Sequence, residues 1–119
     1  MKIECHCGAT ILDSTDDLPQ KGHLIPDQAW FATFDALDAQ VIVPLSAGAI
    51  DPVKASHLSR SIIHRASRLM FQCRACGRLY IDDQQAGGGR GGRGGRGGRG
   101  GLQCYVPSDD VTSKEILSE

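Results

Sequence analysis

The sequence predicts an α+β fold: a small antiparallel β structure built from the two ends of the chain, with two helices inserted between them. Three observations lead there. Cys5-His6-Cys7-Gly8 and, far downstream, Cys73-Arg74-Ala75-Cys76-Gly77 are two short Cys-Gly turns. The residues flanking the first turn and following the second alternate between apolar and polar, the period of a half-buried strand. The residues between the turns carry apolar positions three and four apart, the period of a helix face.

Taken in order, Ile3 and Cys5 alternate with Lys2 and Glu4, and Ala9-Thr10-Ile11-Leu12 reads as the returning strand of a hairpin. Gly8 suits the turn, because a backbone that wraps a sulfur often needs a positive φ. Asp13 to Gly22 reads as loop. Pro26-Asp27 opens a helix with an acid in its first turn. Trp30, Phe34, Leu37 and Val41 define its expected buried face, with Phe31 beside it and Asp35 and Asp38 off it. The helix is expected to end at Val41-Ile42-Val43-Pro44, with Ser46-Ala47-Gly48 as loop. Asp51-Pro52 opens a second helix. Ala55, Leu58, Ile62, Ala66 and Leu69 form its buried stripe, and Lys54, His57, Arg60, His64 and Arg68 lie opposite. The helices are expected to pack as an antiparallel pair against the small sheet. Arg78–Asp82 and Leu102–Pro107 read as a hairpin presenting Leu79, Ile81, Leu102, Cys104 and Val106 to the core. Residues 108–119 are read as a short C-terminal helix.

A chain of 119 residues with 40% apolar residues is expected to form a single domain over 1–119 with one small core. The net charge of −1 hides an asymmetry. Residues 86–101 carry Arg90, Arg93, Arg96 and Arg99 and no acid, so the rest of the chain is acidic. This Gly-Gly-Arg segment has no apolar side chain to bury and a large ordering entropy, and is expected to be a disordered loop at a hairpin tip. No run approaches the ~18 apolar residues of a membrane span, and the start shows no apolar signal region. A cytoplasmic, reducing location is expected, where five cysteines serve as ligands or free thiols rather than disulfides.

Cys5, Cys7, Cys73 and Cys76 supply four sulfurs, the number a closed tetrahedral zinc site takes. Thiolates suit zinc because the ion is borderline soft. At these residues the chain resembles the zinc-ribbon family, in which two Cys-x-x-Cys-Gly knuckles at the ends of β-hairpins clamp one zinc. The resemblance implies Cys5, Cys7, Cys73 and Cys76 as ligands of a structural Zn2+. It covers the knuckles and flanking strands. Two departures stand out: the first knuckle is Cys-x-Cys, one residue short, and the insertion between knuckles is helical. His6 is an alternative ligand type to its neighbours, and a Cys-x-x-Cys is also a dithiol redox motif. That motif normally opens a helix, whereas Gly77-Arg78-Leu79-Tyr80-Ile81 reads as strand. Cys104 is either a spare ligand or a small buried residue on a strand.

These features point away from an enzyme. There is no Gly-rich phosphate loop and no Ser/His/Asp pattern, and a four-cysteine site leaves no open position for a catalytic water. His57 and His64 are seven apart, which does not suit a metal pair on a helix. The expected role is a non-enzymatic adaptor or interaction module, with another protein as partner. Two alternatives stand beside it. One is a nucleic-acid-binding ribbon using Arg78, Arg90, Arg93, Arg96 and Arg99, although the repeat holds no aromatic residue for base stacking. The other is a thiol-based redox or zinc sensor.

Overall fold

The computed structural model describes residues 1–82, 101–109 and 114–119. The Gly-Gly-Arg repeat with Arg90, Arg93, Arg96 and Arg99 lies outside the described residues. The fold class is α+β, with helices and two antiparallel sheets, and the chain divides into two compact units. One comprises Met1–His23 with Leu69–Glu119, the other Leu24–Arg68.

In the first unit, β1 (Lys2–Glu4) and β2 (Thr10–Leu12) form a hairpin with Ile3 opposite Ile11. Both isoleucines are buried while their neighbours are exposed, so the alternation seen in the sequence is the alternation of faces. The second sheet has the order β3-β4-β5-β6, with β3 at Lys21–Leu24, β4 at Arg68–Gln72, β5 at Leu79–Asp82 and β6 at Leu102–Tyr105. Phe71 faces Tyr80 across β4 and β5, and Tyr80 faces Cys104 across β5 and β6. Ile3, Cys5, Ile11, Phe71, Cys73 and Tyr80 form the core, with Leu69, Leu102 and Cys104 packed against it.

Several expectations are corrected here. Opposed residues of an antiparallel pair share a face. The register therefore groups Tyr80 and Asp82 with Cys104 and Leu102, leaving Leu79 and Ile81 on the other, half-buried side. Val106 is exposed rather than in the core. Leu69 belongs to β4, because the second helix stops at Ala66. The stretch read as loop up to Gly22 contains the start of β3. A Cβ at Gly22 would come within 3.2 Å of the Met70 side chain and 3.4 Å of Leu117, so the bare glycine admits this close packing. Residues 114–119 form turns rather than helix, and 110–113 lie outside the described residues. This segment is tied down by the Ile116 amide, which donates to the Gln72 side chain, and by an Arg74–Glu115 ion pair.

In the second unit, α1 (Asp27–Leu37) runs through a π-helical segment (Asp38–Ile42) into α2 (Val43–Ser46). The helix does not stop before Pro44. Proline lacks the N–H that a regular turn would use, and the wider π turn, in which the Val43 amide bonds back to Asp38, accommodates it. The stop comes at Gly48 (φ 74°): its amide bonds to Leu45 and that of Ala49 to Pro44, a Schellman pair. α3 (Pro52–Ala66) begins with the Asp51 carboxylate accepting from the Lys54 amide at 2.7 Å. Val41, Ala55 and Ile62 form a small core with Leu37 and Leu58. Trp30 and Phe34, expected inside, are each 44% exposed, and Phe31 is 72% exposed. α1 turns Ala36 and Leu37 toward that core and buries Thr33, which leaves its rings outside.

Candidate metal centre

Both Cys-Gly turns are built alike. In the first, the Gly8 amide bonds to the Cys5 carbonyl at 2.9 Å and the Cys5 amide to Ala9 at 2.9 Å. In the second, the Gly77 amide bonds to the Cys73 carbonyl at 2.7 Å and the Cys73 amide to Arg78 at 2.9 Å. Gly8 and Gly77 have φ of 97° and 84°, a region that a Cβ would strain. Each knuckle thus contributes one buried thiol, Cys5 or Cys73, and one nearer the surface, Cys7 or Cys76.

The two knuckles meet. Cys5 Sγ lies 3.5 Å from Cys76 Sγ, and Cys7 Sγ lies 3.7 Å from Cys73 Sγ. All four sulfurs fall within 4.8 Å of one another. A tetrahedron with metal–sulfur bonds of about 2.3 Å has edges of about 3.8 Å, so the donor set fits an ion of that kind. The missing residue of the first knuckle does not prevent this. Cys7 reaches the cluster from the exposed side of its turn.

Neighbouring groups complete the site. The Tyr80 hydroxyl, on a fully buried side chain, donates to Cys5 Sγ at 3.2 Å and accepts the His6 amide at 3.1 Å. The Arg78 guanidinium donates to Cys76 Sγ at 3.3 Å. Burial pushes the Cys5 thiol up, but hydrogen bonds from the Cys7 backbone, Tyr80 and Cys76 outweigh it and bring it down to about 6. Burial dominates at Cys73, which is pushed up to about 12. Tyr80 is raised by burial and then by its bond to Cys5. The bond to Cys76 raises Arg78 further. A cation and a hydroxyl directed at sulfurs stabilise thiolate, the form that binds a metal.

His6 is outside the cluster: its ring is exposed and stacks on Tyr80 with centroids 6.4 Å apart. Cys104 is half-buried and packs against the core opposite Tyr80. Arg78, read in the sequence as a nucleic-acid contact, lies against Cys76. The role of Tyr80 was not read from the sequence. The only signal for it is a residue with a polar tip on the strand that follows the knuckle.

Residues 1–109 match a domain of unknown function, DUF8617. The chain belongs to the DUF8617 family. Both knuckles, β6 and the whole helical unit fall within the matched span, so the four-cysteine cluster is part of this DUF8617 domain. No curated protein and no solved structure matches the chain. No helix among the described residues is long and apolar enough to cross a membrane.

Proposed function

We propose that Cys5, Cys7, Cys73 and Cys76 hold one structural zinc ion, in a zinc-ribbon-like module of a cytoplasmic, non-enzymatic interaction protein. The observation that carries the reading is the convergence of the four sulfurs from two hairpin knuckles, with Tyr80 and Arg78 directed at two of them. Four thiolates close the coordination of zinc and leave no position for a reacting water, which favours a structural ion over a catalytic one. The ion would join residues more than sixty positions apart, so its binding free energy would be folding free energy for the β unit. Exposed Trp30, Phe31 and Phe34 on the helical unit support the interaction role, since clustered exposed apolar residues mark contact surfaces.

Two measurements test this. Chelation of the purified protein should remove the ordered β signal, and stoichiometric zinc should restore it. A capture experiment in the native host should retain a macromolecular partner that the Trp30→Ser, Phe31→Ser variant loses. A fold indifferent to chelation, or identical capture by both proteins, contradicts the corresponding half of the reading.

A further inference from the structure

From Leu24 to Ile50 the only charged side chains are Asp27, Asp35 and Asp38. All three are exposed, and among the described residues none of them forms an ion pair. α1 packs inward through Ala36 and Leu37 and buries Thr33. Ala55, Leu58 and Ile62 of α3 cover that inward side, so the cations of α3 do not reach the outward one.

The outward side alternates carboxylates with rings. Asp27, Phe31 and Asp35 succeed one another at intervals of four, so they form one row along the helix. Phe34 and Asp38 form the next row by the same spacing. Trp30 closes the edge, meeting Phe34 edge to face at 4.9 Å. Phe31, in the middle, is 72% exposed. Each phenyl ring thus has a carboxylate one turn away, about 5–6 Å between Cβ atoms.

We propose that the outward face of α1 takes an arginine-bearing basic segment of another protein. A guanidinium is a planar fork that pairs a carboxylate through two N–H groups and also stacks on an aromatic face. A ring one turn from a carboxylate therefore matches one arginine, and Phe31, flanked on both sides, matches two. The methylene stems of those arginines would cover the apolar surface between the rows. An ammonium is a compact, strongly hydrated charge and gains less from the rings. The sign of the face excludes the other occupants. Three carboxylates repel a phosphate backbone or an anionic bilayer, and two copies of α1 repel each other. This inference rests on the interaction-module reading and gives the chemistry of its partner.

Trp30 is the single tryptophan of the chain, so its emission reports on this face in the full-length, metal-loaded protein. The probe is a synthetic helical peptide of arginine and leucine, with arginine at every third or fourth position, beside lysine and glutamate versions of it. The arginine peptide should shift Trp30 emission at about 0.05 M salt and lose roughly tenfold in affinity by about 0.5 M. The lysine peptide should bind about threefold or more weakly, and the glutamate peptide should give no shift. Asp35→Asn with Asp38→Asn should weaken binding roughly tenfold, as should Phe31→Ser; all three residues are exposed, so the fold should be kept. Asp16→Asn with Asp17→Asn removes the same charge from the other unit and should leave affinity within about twofold. No Trp30 response up to about 1 mM arginine peptide, or undiminished binding in either α1 variant, overturns the inference. So does a lysine peptide equal to the arginine one, or an Asp16 and Asp17 variant as weak as the α1 variants. A Trp30 response to duplex DNA, anionic vesicles or self-association that Phe31→Ser abolishes assigns the face to another occupant and overturns it equally. A protein that ignores the peptide, yet retains a host macromolecule that Trp30→Ser, Phe31→Ser loses, keeps the interaction role without this partner chemistry. One that does neither loses both, and zinc content reads the metal centre independently.

Discussion

Replacing Tyr80 with Phe probes the site without touching a cysteine. The ring stays in the core, where it is fully buried opposite Phe71, and only the hydroxyl is lost. Two hydrogen bonds go with it, the 3.2 Å donation to Cys5 Sγ and the 3.1 Å acceptance from the His6 amide. A bond to a charged sulfur is worth about 1.5–3 kcal/mol and an amide left without its partner costs about 1 kcal/mol, so the loss should be about 2.5–4 kcal/mol. Part of it should appear as metal affinity, since removing an outer-sphere partner typically weakens binding about 10- to 100-fold. The assays are a competitive chelator titration and a urea melt of the metal-loaded protein. Tyr105→Phe is the control, because Tyr105 is 53% exposed and should change neither reading. An affinity within roughly threefold of wild type, together with an unchanged melt, would refute the idea that Tyr80 holds the knuckle.

Arg78→Gln should weaken metal binding roughly tenfold by leaving Cys76 Sγ without its cationic donor, with Arg78→Lys intermediate, in the same titration. Cys104→Ala should keep full metal content and lose only about 1 kcal/mol in a urea melt, as expected for a half-buried packing residue. The metal-free chain should gain stability from about pH 6 to 9, be most stable near pH 9, and lose stability toward about pH 12. Cys5 is depressed from 9.0 to about 6, so its contribution is present above 9.0 and is lost as pH falls through about 6. Cys73 is raised from 9.0 to about 12, so its contribution is present below 9.0 and is lost as pH rises toward about 12. Urea midpoints across pH measure both limbs.

The four cysteines were legible because chelation imposes a local pattern: two sulfurs and a glycine in one turn. The hairpins beside them were legible because strand alternation survives in Ile3 and Ile11. Strand register was not. Placing Tyr80 inward depends on its pairing with Phe71 and Cys104, a non-local fact that alternation along Arg78–Asp82 leaves open. β3 was missed for a related reason, since Lys21-Gly22-His23 has no strand-like composition and is held by its neighbours. The aromatic positions of α1 misled because helical period identifies a face without saying what covers it. The turn at Asp38–Ile42 shows how a continuing helix can pass a proline that reads as a stop.

The most direct test of the central claim is elemental analysis combined with native mass spectrometry of protein purified without added metal. The account predicts one zinc per chain, lost together with the β structure in Cys76→Ala. Protein that carries no stoichiometric metal, or a Cys76→Ala chain that folds unchanged, would contradict it. Iron in place of zinc would keep the sulfur tetrahedron but overturn the assignment of the ion.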